Sequence, residues 1–222
     1  RASYCYSTEH IKEALYRIEE FLKEMQKRNV PIDFFSWHIY CTDPKWLVEK
    51  AERIQAMLEK YGFGDTENHL NEWNYVKGWT VEYQYSINAI HSIKGGIFLL
   101  SCICAAQNAP IDMLMYYDTR PSAFNGVFDF YTYEPLKGYY PLYWYGMFYD
   151  MKKEIPAENQ IESIYSLCGM DKDGKDLSVI TYYTDNDEAD NKQFSVDFGR
   201  DSQYEVYLLD ETNTNALIKT TD

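Results

Sequence analysis

Residues 9–153 alternate between amphipathic helical segments and short apolar runs, and this alternation constrains the fold more than any other feature of the sequence. Apolar residues spaced three and four positions apart predict helices over residues 9–28, 45–61, 81–106 and 136–153. Short runs rich in aromatic and β-branched residues predict strands over residues 32–40, 68–75 and 111–117. Because parallel strands need long crossover connections, this order predicts a parallel sheet covered by helices. Three such repeats are too few to close a barrel.

The pattern changes after Pro156, where short strand-like runs are separated by turn clusters such as Asp173-Gly174. The predicted strands cover residues 161–170, 177–184, 194–198, 204–209 and 216–219. Short strands with frequent turns predict an all-β module. We therefore expect two domains, residues 1–155 and residues 156–222, joined by an acidic, proline-containing link near 153–159.

The composition narrows the possible partners. Hydrophobic residues make up 45% of the chain and aromatic residues 17%, which is far more than a disordered segment carries. Thirty-five acidic against 21 basic residues leave a formal charge of −14, which repels a phosphate backbone or an anionic bilayer. Nucleic acid is therefore disfavoured as a partner. Neutral ligands such as sugars remain open, since aromatic faces and hydrogen-bonding side chains suit them.

The cysteines are odd in number, widely scattered and without a Cys-x-x-Cys pair, which predicts buried free thiols rather than disulfides or a zinc site. They are Cys5, Cys41, Cys102, Cys104 and Cys168. The acidic run at residues 171–176 resembles a calcium loop but lacks its distal Glu, and predicts a hairpin turn. Phosphate-binding glycine loops, Gly-x-Ser-x-Gly and His-Glu-x-x-His are all absent from the sequence. We expect no metal and no cofactor.

No apolar run reaches the roughly 18 residues of a membrane span. Residues 95–106 come closest and predict a core helix, so we expect no membrane partner. The first residues contain neither an initiator Met nor a signal peptide, and they resemble the middle of a longer protein. The compartment stays open, with the cytoplasm favoured over secretion or the periplasm.

In α/β barrels the catalytic groups lie at the carboxyl ends of the strands, so the last polar residues of each predicted strand are the candidates for a site. From the first strand to the third they are Trp37, His38 and Tyr40, then Asn71, Glu72, Trp73 and Asn74, then Tyr117, Asp118 and Arg120. A carboxylate between aromatic rings and amides at a strand end can act as a nucleophile toward an anomeric carbon. Glu72 is the candidate for that role.

Structural roles remain as alternatives for these residues. Glu72 could pair with Arg120, His38 could be a satisfied core histidine, and Asp118 with Arg120 could form a structural ion pair. Four further aromatic residues favour the core over a sugar-binding surface: Tyr116, Phe124, Phe128 and Phe130. A saccharide site nonetheless requires at least one exposed ring near these strand ends.

Alternation along the strands predicts which residues share the sheet face that carries no helices. One set is Phe34, Ser36 and His38 with Leu70 and Glu72 and with Met113 and Met115; the other set is the intervening residues. An uncovered apolar face and open strand edges require a partner, either the remainder of a barrel or another copy of the chain.

The strand ends resemble those of glycoside hydrolase family 39, the retaining β-xylosidases and their relatives. Residues 31–40 (PIDFFSWHIY) and 69–74 (HLNEWN) are similar to that family's sixth and seventh barrel strands. The resemblance implies that Glu72 is the nucleophile, that His38 and Tyr40 contact sugar hydroxyls, and that residues 116–120 (YYDTR) form the eighth strand. It also implies a fold: the C-terminal part of a (β/α)8 TIM barrel, about strands 6–8, followed by an accessory β-sandwich.

The sequence departs from the family in one respect that concerns catalysis. The family's acid/base Glu lies in an Asn-Glu-Pro motif, and this sequence contains none. A retaining mechanism needs two carboxyl groups. The resemblance therefore predicts a glycoside hydrolase acting on plant-type or related oligosaccharides, inactive as this chain alone. The alternative is a non-catalytic carbohydrate-binding or assembly protein built on a half-barrel.

Overall fold

The computed structural model describes residues 8–159, 161–189, 192–199 and 202–220. The fold is mixed α/β, and its contacts divide the chain into two compact units. The first unit is Arg1–Ser86 with Ala105–Asp118, and the second is Ile87–Cys104 with Thr119–Asp222. The predicted boundary at residues 155/156 follows the change of sequence periodicity and stays a prediction.

The first unit contains a three-stranded parallel sheet. Its elements are α1 (Thr8–Arg28), β1 (Phe34–Cys41), α2 (Pro44–Lys60), β2 (Glu67–Tyr75) and β3 (Met113–Tyr116). The strands are ordered β1-β2-β3 and both neighbouring pairs are parallel. The predicted helices over residues 9–28 and 45–61 and the three predicted strands are thus confirmed, with small shifts at their ends.

Helix α2 shows why these segments fold as they do. Asp43 caps its first turn by accepting a hydrogen bond from the Lys45 backbone N–H at 2.9 Å, and Pro44 occupies the first turn without losing a needed donor. Its buried stripe follows a helical repeat: Leu47, Ala51, Ile54 and Leu58. Past the end of the helix Gly62 adopts a φ of 82°, which a side chain would disfavour.

One buried polar cluster joins the sheet to α2. Asn68 is fully buried, and its Oδ1 accepts a hydrogen bond from the Trp37 indole at 2.5 Å. Its side-chain nitrogen donates to the Ala51 carbonyl at 3.4 Å, and its backbone N–H donates to Asp112 Oδ2 at 2.7 Å. Because each of these groups is satisfied, a polar residue can occupy the core at low cost.

Strand β2 carries one extra residue, and this bulge changes which side chains share a face. Trp37 pairs with Leu70, whereas the next residue of β1, His38, pairs with Glu72, so Asn71 has no opposite residue. Leu70 is fully buried on the face of Trp37, while Glu72 lies on the opposite face with His38. The prediction that Leu70 and Glu72 share a face is therefore wrong, because simple alternation does not account for the inserted residue.

The second unit contains the bend that replaces the predicted helix over 81–106. Helix α3 (Tyr83–His91), which begins in the first unit, and α4 (Ile93–Ala106) meet at 78°. Ser92 makes the break: its hydroxyl donates to the Ala89 carbonyl at 2.9 Å and accepts from the Lys94 backbone N–H at 3.2 Å. A Cβ on Gly95 would lie 2.4 Å from the Ile90 carbonyl, so the bend requires glycine there.

The predicted helix over 136–153 is also shorter than expected. Helix α5 spans Tyr139–Met147 and continues as a 3-10 turn, Phe148–Asp150. Strand β4 (Lys153–Glu154) then pairs with the next strand, which removes these residues from the helix. Pairing of residues 153–154 with a neighbouring strand thus prevails over the helix propensity of this segment.

Antiparallel strands make up the remainder of the second unit. They are β5 (Ile164–Met170), β6 (Asp176–Tyr182), β7 (Glu205–Leu208) and β8 (Ala216–Thr220), in sheets ordered β4-β5-β6 and β7-β8. The hairpin turn predicted at 171–176 is confirmed, since Asp171 Oδ1 accepts from the backbone N–H groups of Asp173 and Lys175. The prediction of a strand over 194–198 is wrong, because the described residues 192–199 contain no strand.

Buried apolar side chains of α4, β5 and β6 form a core in this unit: Leu100, Cys104, Leu167 and Val179. The cysteines within the described residues are free, whereas Cys5 lies outside them. In the described part of the chain no single helix is long and apolar enough to cross a membrane; α3 and α4 pass that test only together, as a bent pair.

Three large apolar side chains are exposed on the sheet face opposite Trp37 and Leu70: Phe34 at 54%, Met113 at 43% and Met115 at 38%. Because such a face is unfavourable in water, we expect the purified chain to self-associate at micromolar concentration. Met113→Lys should shift it toward monomer, whereas Val81→Lys, an equally drastic change at a residue outside the sheet, should not. Light scattering measures the mass. A monomeric parent that binds no apolar dye would contradict this prediction.

Candidate active site

The carboxyl ends of β1 and β2 bring Glu72 into contact with two residues of the neighbouring strand. The Tyr40 hydroxyl donates a hydrogen bond to Glu72 Oε1. His38 Nδ1 lies 2.9 Å from Glu72 Oε2. An ionised carboxylate only accepts hydrogen bonds, so this contact requires the proton on His38 Nδ1. The three residues that the sequence predicted as nucleophile and sugar contacts thus meet at one place.

Partial burial makes this carboxylate both oriented and reachable. The side chain of Glu72 is 24% exposed and that of His38 is 53% exposed. Among the described residues, each Glu72 oxygen has one hydrogen-bonding neighbour, and each retains further lone pairs. The carboxylate is therefore held in a fixed orientation while it stays accessible to a ligand.

The environment of Tyr40 keeps its hydroxyl protonated. Burial raises the pKa of Tyr40 well above its usual value of 10.0, and the hydrogen bond to Glu72 raises it further. Electrostatic interactions with the carboxyl groups of Glu72 and Asp118 raise the pKa of Tyr40 as well. Tyr40 is consequently a constant donor to the carboxylate and not a proton acceptor.

Lys50 of α2 fixes the backbone that carries His38. Its ammonium group donates to the His38 carbonyl at 2.7 Å and lies 5.3 Å from the centre of the Trp37 ring. Burial lowers the pKa of Lys50. This contact ties β1 to α2 immediately beside the site, which positions the imidazole through its main chain.

Asn74 links β2 to β3 two residues beyond Glu72. It is only 2% exposed, and its amide nitrogen donates to the Tyr117 carbonyl at 2.8 Å. Its Oδ1 accepts from the Tyr116 hydroxyl at 3.2 Å and from the Tyr75 backbone N–H at 2.7 Å. Asn74 therefore orders the strand ends from within the core, and its burial does not support its predicted role as a direct sugar contact.

Both tryptophans predicted as sugar contacts are also buried. Trp37 is 6% exposed on the face opposite Glu72, and Trp73 is 1% exposed with its ring edge-on to Tyr116 at 5.2 Å. Their positions support structural roles. Asn71, the bulge residue, is partly buried, and its buried Oδ1 makes no hydrogen bond within the described residues.

The remaining predicted residues divide between the two units. Tyr117 and Asp118 follow β3, and the Tyr117 backbone N–H donates to the Trp73 carbonyl at 3.2 Å. Arg120 belongs to the second unit. Its proposed pairing with Asp118 or Glu72 stays a prediction.

The sequence analysis missed Trp79, which lies on the loop after β2. Its ring meets Tyr40 edge-on with centroids 5.0 Å apart, and 44% of the residue is exposed. The expectation of an exposed ring near the strand ends is met here. Its signal in the sequence was its position seven residues after Glu72, beyond the strand end that we inspected. Within the described residues, no group of three or more His, Cys, Asp or Glu side chains could hold a metal ion.

Comparison with solved structures finds glycosidases. A glucosidase from Croceicoccus marinus superposes with a TM-score of 0.56 and 21% identity, covering 70% of this chain and 34% of that one. A GH39 β-xylosidase from Caulobacter crescentus gives 0.49 and 13%, covering 68% and 35%. An arabinofuranosidase gives 0.46 and 15%, covering 73% and 40%.

The chain therefore has a glycosidase-like fold, and it spans about a third of the length of the glucosidase that it resembles. No protein-family model and no curated protein matches its sequence. At this identity the likeness establishes the fold alone, so the chemistry must be argued from the residues of this chain.

The buried phenol of Tyr40 predicts a pH effect on stability. In the unfolded chain a tyrosine ionises near pH 10, whereas the folded protein keeps Tyr40 neutral to higher pH. The folded state then binds more protons than the unfolded state, so stability falls as the pH rises above about 10. We expect wild type to be more stable than Tyr40→Phe by about 1 kcal/mol at pH 8.

This difference should shrink as the pH rises above about 10. Urea denaturation of both proteins across that range measures it, and the other tyrosines are common to both proteins and cancel. Stability curves that stay parallel would show that the Tyr40 hydroxyl is not held neutral by the fold.

Proposed function

We propose that this chain is the nucleophile-bearing, C-terminal part of a retaining β-glycosidase of the family 39 type, with Glu72 as the nucleophile. The observation that carries the proposal is the pair of contacts from Tyr40 and His38 to the two oxygens of Glu72. The glycosidase-like fold supports it independently.

The arrangement fits a double displacement. A Glu72 oxygen attacks the anomeric carbon, the glycosidic bond breaks, and a glycosyl ester forms on the carboxylate. Water then cleaves the ester and restores Glu72, so the sugar is released with its original configuration. Tyr40 and His38 hold the carboxylate toward its target throughout, because each bonds a different oxygen.

The first displacement also needs an acid to protonate the leaving oxygen, and that group later acts as the base toward water. This sequence lacks the Asn-Glu-Pro motif of the family's acid. We propose that the acid comes from polypeptide outside these residues. The substrate class is an oligosaccharide or glycoside of the plant type, with β-xylosides as the first candidates on the strength of the resemblance.

The proposed fold is the last three strands of a TIM barrel, residues 1–155, followed by an accessory β-sandwich formed by residues 156–222. Its support is that β1, β2 and β3 are parallel, adjacent and in chain order, with one face left open. The antiparallel strands β5, β6, β7 and β8 are the candidates for the sandwich, and β4 (Lys153–Glu154), just before the proposed boundary, pairs with β5. The rest of the barrel would cover the exposed face near Phe34 and Met113.

A covalent trap tests the nucleophile. The full-length protein is incubated with a 2-deoxy-2-fluoro xyloside bearing a good leaving group, digested and analysed by mass spectrometry. We expect the label on Glu72, because that carboxylate is oriented by Tyr40 and His38. Glu72→Gln should abolish labelling, whereas Glu67→Gln, at the other end of the same strand, should retain it. A label on Asp118, or inversion of configuration in the released sugar, would overturn the proposal.

The 222-residue chain by itself should not hydrolyse aryl β-xylosides. A positioned acid contributes roughly 10²–10⁴-fold to such a reaction, and the family's acid motif is absent from the sequence. Release of the aryl group should be indistinguishable between the chain and its Glu72→Gln variant. Turnover that disappears in the variant would instead favour an acid within the chain, with Glu134 and Glu82 the first to substitute. No labelling of the full-length protein would favour the rival, a carbohydrate-binding or assembly protein.

A further inference from the structure

The loop that follows β2 presents two aromatic rings beside the proposed nucleophile. Trp79 is 44% exposed and Tyr83 is 36% exposed. The two rings are inclined by only 29° with centroids 6.3 Å apart. We call this pair of neighbouring, partly exposed rings the Trp79 platform.

This platform is connected to Glu72 through direct contacts. Trp79 packs edge-on against Tyr40 at 5.0 Å, and the Tyr40 hydroxyl donates to Glu72. Tyr40 is thus the single side chain that links Trp79 to the carboxylate. Trp46 on α2 is exposed to a similar extent, 39%, and in the described part of the chain no ring contact or hydrogen bond joins it to Trp79, Tyr40 or Glu72.

The loop that carries Trp79 is held by hydrogen bonds on both sides of this residue, so Trp79 is exposed on an ordered loop. Before Trp79, the Lys77 backbone N–H donates to the Ser86 hydroxyl at 3.0 Å, and Ser86 is fully buried. After it, the Tyr83 backbone N–H donates to the Thr80 carbonyl at 3.2 Å. A platform fixed before binding saves the entropy of ordering it when ligand arrives.

The chemistry of the platform suits a neutral sugar. A flat, exposed indole offers an apolar face to the C–H groups of a pyranose ring, while neighbouring polar side chains serve its hydroxyls. The small angle of 29° between the two rings suits stacking of a flat ligand on the exposed indole. The net charge of −14 disfavours anionic ligands.

We propose that Trp79, with Tyr83 beside it, is a stacking platform for a neutral pyranose of the substrate and sets where that substrate lies relative to Glu72. This inference rests on the proposed function, since the stacked sugar is part of the molecule that Glu72 attacks. Trp79 is accordingly a binding and positioning residue.

Oxidation of tryptophan by N-bromosuccinimide tests the platform directly. The full-length protein carrying Glu72→Gln, which cannot turn over, is treated with and without xylobiose or cellobiose. Oxidised peptides are then located by mass spectrometry. We expect Trp79 to react readily in the free protein and to be protected by at least one of the sugars, whereas the oxidation of Trp46 stays unchanged.

Affinity measurements by calorimetry provide the second readout. In the same Glu72→Gln background, Trp79→Ala should weaken binding of the protecting sugar about tenfold, and Trp46→Ala should leave it unchanged. Trp79→Phe should restore part of the affinity. An unreactive Trp79, absence of saturable sugar binding, equal effects of the two alanine variants, or protection by tetramethylammonium and not by sugar would each overturn the platform.

The outcome is separable from that of the nucleophile test. Sugar binding that depends on Trp79, together with no fluorosugar label on Glu72, would support the platform while removing the catalytic role. A fluorosugar label on Glu72, together with sugar binding that Trp79→Ala does not change, would support the catalytic role and remove the platform.

Discussion

The extra residue in β2 determines the direction of the candidate nucleophile. Parallel pairing on both sides holds β2 at the centre of its sheet, so its residues cannot shift freely. Asn71 is left without an opposite residue, and the alternation of faces reverses after it. Leu70 consequently points into the core with Trp37, while Glu72 points to the open face with His38. A regular strand would have placed Glu72 on the side of Leu70, under the helices.

Once Glu72 faces outward, β1 supplies both of its partners without any change of register. His38 lies directly opposite Glu72, and Tyr40 lies two residues farther along the same face. Burial of the Tyr40 phenol keeps it a donor, and the Lys50 contact fixes the backbone of His38 from the helix side. The site therefore depends on three elements, β1, β2 and α2, and the buried cluster around Asn68 joins the same three elements in the core.

The open sheet face and the glycosidase-like fold have a common explanation in the proposed barrel. A parallel sheet is normally covered on both faces, yet Phe34, Met113 and Met115 are exposed here. The chain spans about a third of the glucosidase that it resembles. In the proposed enzyme, the rest of the barrel would cover this face and contribute the second carboxyl group, and the Trp79 platform would bind substrate beside Glu72.

The sequence by itself determined the order of helices and strands in the first unit, because hydrophobic periodicity and caps such as Asp43 act locally. It also located Glu72 at a strand end. Only the tertiary structure decided the bulge at Asn71 and the exposure of Trp79. Each depends on contacts between segments distant in sequence or on close backbone approach, and alternation or propensity within one segment carries no information about them.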